Sequence, residues 1–207
     1  MLSVSNPISP RDRYELQHGP GSWDVATFPE AVLEGQRLLA DDRLAGWHSL
    51  GWSELENSTA DSLWDKLWTD QGRLLEPVPS VTWDIGDAFS QDQSKLNAAE
   101  VDLTIKTLAN FKACARRGKC LYALDWQHPC FLFDPHGGAQ KADAESWAVS
   151  VFPDGDTLCF IEPEFRFGTL GHVDKTFCVF GSELLAAFER NKPAILRSVI
   201  RRNGKDI

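Results

Sequence analysis

Residues able to do chemistry crowd into one short apolar stretch. Residues 122–136 read YALDWQHPCFLFDPH, with Asp125, His128, Cys130, Asp134 and His136 set among aromatic and aliphatic side chains. Polar groups inside such a run cost free energy unless they are partnered. Each is therefore either a satisfied structural group or part of a site. His172, which closes the run GTLGH at 168–172, is a further candidate. On a strand, residues i and i+2 share a face, so His128 would lie beside Cys130, and Asp134 beside His136.

Several chemistries suit these residue types. Imidazole, thiolate and carboxylate all bind Zn²⁺, and a catalytic site needs three protein ligands and an open position. This makes His128, His136 and His172 a candidate set for a divalent metal. Their spacing matches neither HExxH nor a paired CxxC, and Pro129 interrupts the strand and can bulge it. Cys130 with His128 or His172 has the types of a thiolate–imidazole pair. Against that, a strand Cys is commonly a small buried hydrophobe, which Cys159 and Cys178 also fit. Asp125 directly follows an apolar run and precedes Trp126; a half-buried carboxylate there needs donors, with Arg166, His128 and Lys175 available. It either ties strands together or carries a shifted pKa at a site. PDGD at 153–156 reads as a hairpin turn, although Asp154 and Asp156 could help to hold a divalent cation. The two glycines of GTLGH mark either a bend or a close backbone approach, which would turn His172 toward a pocket. The ligand-binding candidates are thus Asp125, Trp126, His128, Asp134, His136, Arg166 and His172. The catalytic candidates are His128, His136, His172, Asp125 and Cys130.

The elements that must position these residues follow from pattern. Residues 1–22 lack periodicity and read as a loose arm or an extended wrap. TFPE at 27–30 looks like a helix start with a capping-box arrangement, running to about Asp41. STADSLWDKLW at 58–68 is a short helix with Leu63 and Leu67 one turn apart. PVPSVTWDIGD holds the first clear strand. Residues 95–117 form a helix, with Leu96, Val101, Leu103, Ile105, Leu108 and Phe111 on its apolar arc and Gly118 as its stop. Strands follow: CLYALDWQ, CFLF, AVSVF, TLCFIE, FRFGTL and TFCVF, separated by DPHGG, PDGD and Gly168–Gly171. A last helix begins SELLAAFE, is broken or kinked at Pro193, and closes at IRRNG with Arg201 and Arg202 near its negative end.

Helices, then a run of short strands, then a helix point to an α+β fold with a mostly antiparallel sheet packed against helices from both ends of the chain. The expected division is an N-terminal extension at 1–55 and a single α+β domain at 56–207. This order argues against a Rossmann-type alternation, and neither GxGxxG nor GxxxxGK(S/T) occurs. The 207 residues suffice for one ordinary core, and their formal charge of −9 opposes broad nucleic-acid binding while suiting a basic protein partner. No window is long and apolar enough for a membrane span. Five cysteines, with no CxxC pair and no secretory signal core, point to reduced thiols in a cytoplasm.

The second half resembles a domain family of unknown function, DUF2716, found mainly in actinobacteria. The resemblance rests on SVTWD at 80–84, LYALDWQHPC at 121–130, FDPH at 133–136, FPDGD at 152–156, RFGTLGH at 166–172 and TFCVFGSELL at 176–185. It spans roughly residues 60–200 and implies no activity. Family members tend to follow the last His with Pro and Trp, whereas here His172 is followed by Val173 and Asp174.

Two functions of different class remain open, and whether the chain is an enzyme is undecided by sequence. The expected one is a cytoplasmic, non-catalytic binding module for a protein partner, of the kind in which an acidic immunity protein covers a basic toxin. The alternative is a small-molecule enzyme or ligand-binding protein with a His/Asp pocket formed by WQHPC, FDPH and GTLGH, dependent on a divalent metal or on acid–base chemistry.

Overall fold

A computed structural model describes residues 51–69, 72–90, 92–137, 147–153 and 155–207. The arm at 1–22 and the helix expected at 27–41 lie outside the described residues. The described chain is built on a nine-stranded sheet, β1 (Trp52–Glu54), β2 (Ser80–Asp84), β3 (Leu121–Asp125), β4 (Phe131–Phe133), β5 (Leu158–Ile161), β6 (Gly168–His172), β7 (Thr176–Phe180), β8 (Ser198–Arg202) and β9 (Lys205–Asp206). Their order is β1-β4-β3-β5-β6-β7-β2-β8-β9. Every pairing is antiparallel, giving an α+β fold.

Strand alternation divides the core between the two faces of this sheet. On one face, Trp83, Ala123, Phe160, Phe177 and Val179 pack under helices α3 (Gln93–Cys114) and α4 (Ser182–Arg190). On the other, Leu124, Cys159, Ile161, Leu170 and Cys178 pack under α1 (Asn57–Leu67), through Ala60, Leu63, Trp64 and Leu67. A single turn, α2 (Gly86–Phe89), follows β2. No helix among the described residues is long and apolar enough to cross a membrane.

The helices follow their local signals with shifts at the edges. Asp92 caps α3 by accepting from Lys95 N at 3.1 Å. The buried side of α3 is Leu103, Thr104, Thr107, Leu108, Asn110 and Phe111, while Val101 and Ile105 are exposed. The buried Asn110 is there because its amide reaches Asn191 O at 3.2 Å and ties α3 to the end of α4.

Two expected elements differ. AVSVF is not a strand: Ser150 Oγ accepts from Phe152 N at 3.0 Å, a local side-chain bond that competes with ladder pairing. The segment is still core, with Trp147, Val149, Val151 and Phe152 buried. IRRNG does not close the last helix, which ends at Arg190. After Pro193 the chain turns, and β8 pairs with β2, placing Arg201 opposite Thr82.

Gly168 and Gly171 both lie within regular β6. A Cβ at Gly168 would fall 2.4 Å from Phe160 O and 2.8 Å from the Phe180 ring. Gly168→Ala is therefore expected to destabilise the fold by about 1–3 kcal/mol through overpacking, read as a lower urea midpoint. An unchanged midpoint would show that Phe180 repacks freely.

Candidate functional site

The sheet has two ends, and the register sorts the candidate residues between them. Asp125 ends β3 opposite Leu158, and His172 ends β6 opposite Thr176. Antiparallel pairing puts these termini at one end, together with Trp126, His128, Cys130 and Asp156. Phe133, which ends β4, pairs with Leu121 at the start of β3, so Asp134 and His136 lie at the opposite end. Arg166, just before β6, joins them there.

Asp125 is the centre of the WQHP turn. Its Oδ1 accepts from Gln127 N at 3.0 Å and His128 N at 3.1 Å, and lies 3.0 Å from His128 Nδ1. Trp126 N donates to Thr157 O at 3.1 Å, which fastens the turn to the approach to β5. The same approach carries Asp156, whose Oδ2 is 3.6 Å from His128 Nδ1. Both carboxylate side chains are nearly buried (11% and 13% exposed), whereas the imidazole is 68% exposed. Burial, and then the neighbouring Asp125 charge, push Asp156 up to about 7. A like charge this close disfavours ionisation of Asp156. The sequence offers Asp156 as part of a hairpin turn that could help to hold a divalent cation, while its proximity to Asp125 is created by strand pairing.

Asp125, His128 and Asp156 each offer an atom within 4.8 Å of the others, a donor set fit for a divalent cation. The set expected from sequence, His128 with His136 and His172, is not brought together. His136 Nε2 lies 2.9 Å from Ala115 O, and Asp134 Oδ1 accepts from His136 N at 2.8 Å, so this pair pins a loop to the end of α3. Arg166 is not the partner of Asp125: it donates to Glu162 Oε1 at 2.7 Å. Burial alone would raise Glu162, but hydrogen bonds from Arg166 and from the backbone outweigh it and hold the carboxyl low. Lys175 instead stands over the Phe89 ring at 5.1 Å.

Cys130 opens β4, buried, with its thiol on Asp125 O at 3.5 Å. Burial pushes the thiol up, the direction opposite to an activated nucleophile. All five cysteines are free, and burial raises each of them.

His172 has its own partners. Its Nδ1 is 3.0 Å from Asp174 Oδ1, which also accepts from Thr176 Oγ1 at 2.6 Å. Burial would raise Asp174, but the hydrogen bonds from His172 and Thr176 prevail and bring it to about 2. An aromatic chain joins the two histidine neighbourhoods: Trp126 packs edge-on against Trp64 and Trp68 at 5.1 and 5.2 Å, and Trp68 lies 6.1 Å from His172.

The model for the family described as "Protein of unknown function (DUF2716)" matches residues 49–185, and the chain belongs to that family. It is 31% identical over 160 residues to the uncharacterized protein YxiI of Bacillus subtilis (strain 168), covering 72% of this chain and 99% of that protein. No solved structure matches.

The raised Asp156 makes stability depend on pH. Asp156 in the folded chain holds its proton more tightly than a free Asp of 3.8, so the folded state binds more protons than the unfolded one. Stability is then fully present below about pH 4 for this group and is lost as pH rises toward about 7. Melting temperatures recorded across this window should fall less steeply for Asp156→Asn than for wild type; parallel curves would remove the coupling.

Proposed function

We propose that this chain is a non-catalytic binding module that recognises a basic protein partner through the Asp125 end of its sheet. The observation that carries this reading is the gathering of carboxylates there. Glu54, Glu56 and Asp61 are exposed around Cys130: Glu54 faces Phe131 in the ladder, Leu55 N donates to Cys130 O at 2.7 Å, and the Asp61 charge is felt at the Cys130 thiol. Beside them Asp156 keeps a proton that a cationic side chain would displace. A guanidinium or ammonium entering beside His128 would thus gain two ionised carboxylates. The opposite end carries exposed Arg116, Arg117 and Lys119, so the sheet is electrically polar along its strands. Such asymmetry steers association and fixes orientation. An immunity-type protein covering a basic toxin is one instance of this class. Five unbridged thiols suit a reducing, cytoplasmic setting.

Co-purification with each strongly basic protein encoded beside this gene provides the test. One of them is expected to form a stoichiometric complex. Combined Glu54→Lys, Glu56→Lys and Asp61→Lys should weaken it at least about tenfold and shift its salt dependence, with an unchanged melting temperature. The proposal fails if no such complex forms, or if charge reversal leaves it unaltered.

The convergence of Asp125, His128 and Asp156 favours a second reading, a divalent cation held at the same place. A cation there would be a Lewis acid or a structural clamp. Elemental analysis of untagged protein dialysed against Zn²⁺ or Mn²⁺ should show one ion per chain in wild type and a loss in His128→Ala. Equal metal content in both proteins would discard this reading.

A further inference from the structure

The face of the sheet that α1 covers is only partly roofed. Beyond the end of α1, a cavity of about 580 Å³ opens over β6, β7 and β8. Its floor holds Leu170 and Cys178, one wall is made by Thr69, Arg73, Leu74, Leu75 and Glu76, and the other by Asn203 and Gly204 in the turn between β8 and β9. Its size is that of a small-molecule site.

The polar groups lining it are unevenly committed. Arg201 Nε donates to Glu76 Oε1 at 2.8 Å, and the Glu76 side chain is only 9% exposed. That carboxylate fixes one edge of the guanidinium and holds it across the floor. Among the described residues, the terminal nitrogens of Arg201 and the guanidinium of Arg73 have neither a hydrogen-bond nor an ion-pair partner. His172 turns Nδ1 to Asp174, which leaves Nε2 as its other ring nitrogen. Asp174 is thus taken up by His172 with Thr176, and Glu76 Oε1 by Arg201, which leaves Glu76 Oε2 as a buried acceptor without a partner beside the unengaged guanidinium nitrogens. Guanidinium groups bind carboxylates in a planar, two-bond arrangement.

Two further observations narrow the ligand. Leu75, in the wall, is 47% exposed, and with Leu74 and Leu170 it offers hydrocarbon beside the cations. Asp206 stands in the lining on β9, where its charge disfavours a second anionic group on the same molecule.

We propose that this cavity is a binding site for a small organic acid with one carboxylate, which Arg201 and Arg73 engage while its hydrocarbon lies on Leu74, Leu75 and Leu170. Glu76 is a positioning residue for Arg201. The cavity shares no residue with the Asp125, His128 and Asp156 cluster, and the proposal stands or falls without it.

Thermal shift and calorimetric titration with straight-chain monocarboxylates from acetate to octanoate test the proposal, with succinate and inorganic phosphate at matched ionic strength as comparisons. Saturable stabilisation is expected from the monocarboxylates, tightening up to about fourfold per added methylene until the cavity is filled. Arg73→Gln and Arg201→Lys should each weaken binding about tenfold. Arg73 is exposed and outside any ion pair, so its variant keeps the test decisive if Arg201→Lys does not fold. The proposal is overturned if no monocarboxylate stabilises the protein, if succinate or phosphate does so equally, or if Arg73→Gln binds as wild type.

Discussion

Asp125 Oδ1 holds the chain reversal between β3 and β4, and much of the structure depends on it. The oxygen accepts two backbone N–H groups and faces the His128 ring, closing a turn that Pro129 would otherwise leave short of donors. Once that turn is set, β4 can return beside β3, and β1 can add to β4 as the sheet edge. The same carboxylate places a negative charge against Asp156 and so adds to the burial that raises that residue. A structural cap and an electrostatic feature are therefore one group, and separating them requires substitutions at Asp156 or on the rim.

Opposite ends of the sheet solve the problem of buried polar groups differently. At the Asp134 end, Arg166 and His136 have local partners: Arg166 pairs with Glu162, and His136 meets the carbonyl that ends α3. At the Asp125 end, Asp125, His128 and Asp156 converge on one another, and burial together with the Asp125 charge raises Asp156. Convergence without a compensating cation is costly in a low dielectric. That cost is what a ligand at this end would relieve.

The tryptophans link the two regions of interest under α1. Trp64, Trp68 and Trp126 form an edge-to-face chain that reaches His172. His172 in turn lines the cavity over β6, β7 and β8. One region presents acids outward, and the other sets Arg73 and Arg201 among Glu76, Asp174 and Asp206.

The sequence by itself determined the class of fold, the two central helices and most strands, because amphipathic period and turn chemistry are local. It also marked Asp125, His128 and His172 as unusual, since polar groups in apolar runs stand out whatever the fold. It could not say which of them meet. His136 looked equivalent to His128, yet its strand runs to the other end of the sheet. Asp156, 31 residues after Asp125, becomes its neighbour only through the pairing of β3 with β5. Arg201, expected at a helix end, became the floor of a cavity because β8 adds beside β2 and carries it to Glu76, 125 positions away. Local patterns decide what an element is. Which side chains share a site depends on strand order and register, set by burial summed over the whole core.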